Sequence, residues 1–114
     1  MNQNTPVLTL TVALTGVVAA NRFVTPAGAQ AGADVNTLGA CRVAGVATDK
    51  VPVDVLGTAI VESGAAVAAG ATVKSDASGR AITWVTAGAK VGVALEAASA
   101  AGQMIEVFLI PNAV

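Results

Sequence analysis

The chain has 114 residues, a net charge of −1, and 54% hydrophobic against 11% charged residues. That length fits one domain, residues 1–114, and that composition excludes a disordered chain. The absence of histidine rules out Ser–His–Asp triads, Cys–His nucleophile pairs and His-based metal sites.

Residues 1–6, "MNQNTP", are polar and end at Pro6, and they read as an extended arm. The run "VLTLTVALTGVVAA" that follows is apolar enough to imitate a signal peptide, but no positive charge precedes it. It also alternates. Leu8, Leu10, Val12 and Leu14 fall on one side, and Thr9, Thr11, Ala13 and Thr15 on the other, the period of a half-buried strand over residues 7–15. No run reaches the ~18–20 apolar residues of a membrane-spanning helix. Gly16 allows a turn into a second strand at 17–24. Residues 25–39, "TPAGAQAGADVNTLG", have the composition of a long loop, which separates the arm and first strand from a β body at 40–114.

Short strands follow at close spacing: 41–47, 51–57 and 58–63. Pro52 points to an edge position for the second of these. Gly64, Val67, Gly70 and Val73 recur every three residues, which fits tight turns with the valines pinned inward. "GATVKSDASGRAI", 70–82, is a hairpin in which Asp76 opens a type I turn and Gly79 supplies the positive φ that closes it. Strands at 80–85 and 91–96 come next, then 97–102 as a loop or a single helical turn. In the last strand, 104–110, Ile105, Val107 and Leu109 face one way. Met104, Phe108 and Ile110 make the other face apolar too, apart from Glu106, the mark of a central strand or an interface. The expected fold is all-β: a small barrel or sandwich with long loops, an extended N-terminal arm and at most one short helix.

Chemistry is hard to place on this chain. Lys74-Ser75 lacks the glycines of a phosphate loop, and adjacent strand residues point to opposite faces, so Lys74 is not placed to take the Ser75 proton. Lys74 reads as a solvated hairpin residue. The seven carboxylates, Asp34, Asp49, Asp54, Asp76, Glu62, Glu96 and Glu106, show no paired or calcium-loop spacing. Cys41, the one cysteine, reads as a small buried hydrophobe. The basic residues Arg22, Arg42, Lys50, Lys74, Arg80 and Lys90 are scattered, which argues against nucleic acid. With Phe23, Trp84 and Phe108 as the only aromatics, no base-stacking or sugar-stacking platform is expected, and Trp84 reads as core or interface. No enzyme activity, cofactor or metal is expected. The apolar content is mostly Ala and Val, whose side chains bury little area each, so a partner surface would add useful burial.

Two stretches carry family resemblances. "GAAVAAGATV", 64–73, resembles the Gly-spaced turn of biotinyl and lipoyl carrier domains, but the hairpin tip 76–79 lacks the lysine those domains modify. The longer "SGAAVAAGATVKSDASGRAI" together with "VGVALEAASAAGQMIEVFLI" resembles the bacteriophage capsid cement, or head decoration, proteins over residues 57–110. That resemblance implies a mainly β virion protein, synthesised in the host bacterial cytoplasm, that binds the major capsid protein on the outer surface of an assembled shell and stabilises it by bridging capsomers. It also implies self-association, as a homotrimer or a dimer, with no nucleic-acid or membrane partner. The contact candidates are Thr5, Pro6, Val7, Thr9 and Thr11 on an arm that adds a strand to a capsid or neighbouring subunit, with Trp84 and Phe108 as apolar anchors. A non-catalytic host-attachment or carrier-type binding module is the alternative.

Overall fold

A computed structural model describes residues 3–112. Of the arm expected over residues 1–6, Met1 and Asn2 therefore lie outside the described residues. The described residues form eight strands: β1 (Thr5–Ala13), β2 (Arg22–Val24), β3 (Gly39–Cys41), β4 (Lys50–Glu62), β5 (Thr72–Ser75), β6 (Ala81–Thr83), β7 (Gly92–Ala94) and β8 (Met104–Leu109). All pairings are antiparallel, in the order β2-β3-β4-β8-β7-β5-β6, with β1 also on β4. The all-β expectation holds as a nearly closed barrel, and residues 97–102 are turns rather than a helical turn.

Strand β4 organises the sheet. The sequence reads as two strands there, split after Gly57, but the structure runs them together as thirteen residues. One edge of β4 is taken by β1 from Lys50 to Thr58. The other edge is shared end to end by β3, at Asp54 and Val53, and by β8, at residues 57–62. Gly57 and Thr58 pair with β1 and β8 together, which places those two strands on opposite sides of β4. Pro52 is therefore internal rather than at an edge. Its carbonyl accepts the Arg42 N–H at 3.5 Å, just beyond the end of β3, so its missing N–H faces a position where the ladder has already stopped.

The hairpin at 76–79 closes the barrel. Asp76 O accepts the Gly79 N–H (3.2 Å) across the turn, and Asp76 Oδ1 takes the N–H groups of Ser78 and Arg80 at 2.8 and 2.9 Å. Gly79 sits at φ 76°, as the turn requires. The tip then turns inward. Gly79 O accepts the Phe23 N–H of β2 at 2.8 Å, Arg22 Nη1 donates to Ser78 O, and Ala81 bridges Ser63 at the end of β4. The sequence reads this hairpin as solvated, whereas it is the seam of the fold. Lys74 is correspondingly not free in solvent. Its ammonium lies 2.7 Å from Asp34 and 3.1 Å from Ala87 O, clamping the 25–39 loop to the loop after β6.

The interior is narrow. Phe23 is the largest fully buried side chain, and around it Val61, Val73, Val91, Val107, Ile105 and several alanines fill the main cluster. A second cluster of Leu14, Val18, Val24, Cys41, Val51 and Val53 lies under the first half of β4. Val67 and Val73 point inward, as the Gly-spaced turns imply. In β7 the expected inward set of Val91, Val93 and Leu95 shifts: Val91, Gly92 and Ala94 are buried, while Val93 and Leu95 stay half-exposed.

Strand β1 departs most from expectation. Leu14 is buried and Val12 half-buried, but Leu10 and Leu8 are about two-fifths exposed, so the inward face fades toward the N-terminus. The pairing explains it. Val7 is an extra residue on β1 between Pro6 and Leu8, and Val55 is an extra residue on β4 opposite the next step, so two bulges swing β1 off the core. Gly57, at φ +96°, permits this: a Cβ there would come 2.7 Å from Val7 N and 3.0 Å from Pro6 Cα. Gly57→Ala is expected to destabilise the protein by about 1–2 kcal/mol, from the left-handed backbone alone, and to loosen residues 5–8 selectively. Hydrogen exchange would show faster amide exchange there with little change in β5, β7 and β8; uniform loosening would contradict the local role.

Candidate functional site: the outer face of the sheet

The pairing registers place one transverse row of residues on the outer face. Thr5 of β1 opposes Thr58 of β4, Thr58 opposes Phe108 of β8, Phe108 opposes Val93 of β7, and Val93 opposes Thr72 of β5. The Trp84 N–H donates to Thr72 O at 2.8 Å, so Trp84 ends the row just past β6. Three of the residues singled out in the sequence, Thr5, Phe108 and Trp84, thus share one line across five strands and the residue that follows β6.

Phe108 is the centre of this face. It is 47% exposed although its strand is paired on both sides. Met104, on the same face of β8, is also exposed, and Leu56, Ile60 and Val93 are half-buried beside them. Glu106 lies between Met104 and Phe108 but is only 3% exposed, and its Oε1 accepts the Gln3 N–H at 3.3 Å. Gln3 therefore lies over this carboxylate. Asn4 Oδ1 accepts the Ile60 N–H and Thr58 Oγ accepts the Thr5 N–H, continuing the β1 line past the end of the strand. Trp84 is held by its indole N–H on Gly88 O, with Lys90 Nζ 4.4 Å from the ring centroid. Its ring is thus fixed by its own loop.

The remaining candidates lie on β1. Val7 is 80% exposed, Pro6 is half-buried and Thr11 is exposed. Thr9 is committed internally. Its hydroxyl donates to Asp54 Oδ1 at 2.9 Å, and Asp54, fully buried, also takes Arg42 through Nε at 3.0 Å and through Nη2. This clasp fastens β1 and the residue after β3 to the same point of β4. The hydrogen bond to Asp54 outweighs desolvation and lifts the Arg42 guanidinium above its ordinary value. Burial pushes the neighbouring Cys41 thiol up, and the Asp54 charge adds to the rise, which keeps the sulfur an unreactive core atom.

Sequence reading missed Leu8, Leu10 and Met104, which it assigned to a buried face or left without a role, and also Val17 and Val46. The last two flank the Val18–Gly45 bridge on its outward side. A strand with apolar residues on both faces was the available signal for β8. For β1 the signal was the absence of any charge over nine residues. Among the described residues no three of His, Cys, Asp and Glu gather as a metal site requires.

The family model of phage cement proteins matches residues 1–109, and the chain belongs to that family. No curated protein matches it. Among solved structures, the N base of head fiber gp8.5 of bacteriophage phi29 is similar in fold, with a TM-score of 0.74 over 94% of this chain and 97% of that one, at 17% identity. The chain is thus a structural, capsid-associated phage protein.

Asp54→Asn is expected to lower stability by about 2–3 kcal/mol. The hydrogen bonds to a charged group are lost, while the part-exposed Arg42 retains water. Urea denaturation would measure it as a lower midpoint at an unchanged slope; a change under 0.5 kcal/mol would mean that the clasp contributes nothing.

Proposed function

We propose that this cement protein lies with the Phe108 face against the outer surface of the assembled capsid and stabilises the shell by bridging neighbouring capsomers. The supporting observation is the apolar patch on the outer face, with Phe108 and Met104 exposed and Leu56 and Ile60 half-buried beside them, on a sheet whose interior is already full. Phe108, Met104, Ile60 and Leu56 have no space inward, so burial for them requires another molecule. The aromatic at the centre, surrounded by half-buried aliphatics and threonines, has the character of an interface anchor.

The mechanism is linkage. A protein that binds the assembled lattice and not its separated subunits stabilises the lattice by RT ln(1 + [L]/Kd) for each site. A copy seated across two capsomers must be detached before they part, so many modest contacts sum over the shell. The major capsid protein is the partner in this reading, with the copies also associating among themselves.

Charge plays a small part. Arg22, Arg42, Lys74 and Arg80, four of the six basic residues, are already bound in ion pairs within the chain. Binding should therefore depend weakly on salt, unlike an association steered by unpaired charge.

Cosedimentation with purified undecorated capsids tests the reading. Wild-type protein should saturate at a fixed copy number per capsid. Phe108→Lys should keep the fold, since the residue is exposed, and lose most of the binding. Full binding by that variant, or loss of wild-type binding on moderate addition of salt, would contradict an apolar seat centred on Phe108.

A further inference from the structure

The row that ends at Trp84 carries a charge of one sign. Lys90 is exposed, and its Nζ stands 4.4 Å from the centre of the Trp84 ring. Among the described residues it makes no ion pair, whereas the other charges around this face are bound within the chain. Lys74 pairs with Asp34, and Glu62, opposite Met104, is shared by Arg22 and Arg80. Glu106 is only 3% exposed and accepts the Gln3 N–H, and Glu96 Oε1 accepts the Glu106 N–H.

The indole positions Lys90 without discharging it. Trp84 is itself fixed twice, by its backbone N–H on Thr72 O at 2.8 Å and its indole N–H on Gly88 O at 2.9 Å. The adjoining loop is fastened by Lys74, whose ammonium reaches both Asp34 and Ala87 O. The negative face of an indole attracts an ammonium but has no net charge, so the positive charge remains. One side of the ammonium meets the ring, and its other N–H donors point away from it.

We propose that Lys90, held by Trp84, is the specificity-determining cation of the Phe108 face and takes a carboxylate, an Asp or Glu side chain, on the capsid surface. This rests on the reading of that face as the capsid seat. Trp84 lies three steps from Phe108 along the row, through Val93 and Thr72, and three strand spacings are roughly 14 Å. A standard interface covers about 800 Å² on each partner, a patch roughly 30 Å across, so a seat centred on Phe108 reaches Lys90. Covering an ammonium without a counter-charge costs its hydration. The anions that a protein surface offers at neutral pH are carboxylates. An opposing surface without one is disfavoured, and a surface with one is accepted in a single orientation. An apolar anchor alone leaves the protein free to rotate about Phe108, and a charged contact at the end of the row removes that freedom.

Cosedimentation with undecorated capsids, quantified as a dissociation constant, is the test. Lys90→Met keeps an apolar stem against Trp84 and removes the charge, and it should bind about tenfold more weakly. Lys90→Glu should lose more. Lys90→Arg should stay within about threefold of wild type, because a guanidinium also stacks on an indole and pairs with a carboxylate. Circular dichroism checks that each variant of this exposed residue folds. Salt supplies a readout that a merely structural role would not move: added sodium chloride should weaken wild-type binding by about twofold to threefold and leave Lys90→Met unchanged. Wild-type affinity in Lys90→Met and Lys90→Glu, or the same salt response in Lys90→Met as in wild type, would overturn the proposal. Phe108→Lys separates the two readings. If it releases the capsid while Lys90→Glu binds fully, the apolar seat stands and the carboxylate contact is wrong. If it binds fully while Lys90→Glu does not, the contact stands and the seat is not centred on Phe108.

Discussion

The hydrogen bond from the Phe23 amide to the Gly79 carbonyl joins the two ends of the sheet, and the barrel exists because that seam closes. A backbone bond of this kind stabilises by about 1 kcal/mol by itself. Its larger effect is geometric. It brings β2 against the β5–β6 hairpin, which encloses Phe23 and the valines of the main cluster. The neighbouring side chains reinforce it. Arg22 and Arg80 share the Glu62 carboxylate, and Arg80 also reaches Asp76, so the hairpin tip, β2 and the end of β4 meet at one polar cluster. Such part-exposed pairs add little energy individually; together they fix which strands meet.

Closure around so small a perimeter dictates what the interior can hold. Valine and alanine fill most of it, with Phe23, Ile105, Leu109 and Leu14 as the larger members, while Leu8 and Leu10 of β1 and Met104 and Phe108 of β8 are left part-exposed outside. Phe108 and Met104 alternate with Ile105, Val107 and Leu109 along one strand, so period two sends them outward whatever their hydrophobicity. The apolar outer face is therefore a consequence of a full core combined with a strand that is apolar on both sides.

Much of the architecture was legible from the sequence, because turn chemistry is local. Asp76 and Gly79 specify the hairpin, the Gly-spaced valines specify inward turns, and the alternation of β8 specifies its core face. What sequence could not convey was non-local. Lys74 looks like a solvated hairpin residue until Asp34, forty positions away, is brought to it. Asp54 looks like the polar face of a strand until Arg42 and Thr9 converge on it in the interior. Leu8 and Leu10 look buried by period, and only the paired bulges at Val7 and Val55 show that β1 leaves the core. Of the candidate contact residues, Thr5, Phe108 and Trp84 lie on one row although their sequence positions gave no hint of it. Thr9 belongs to an internal clasp.

The edge and the face differ in what they ask of a partner. The Phe108 face offers side-chain area and no backbone groups, so shape and apolar matching decide what seats there. The β1 edge offers mainly backbone groups, which any extended segment could satisfy, so selection must come from the side chains around it. An edge without charge discriminates poorly against other strands.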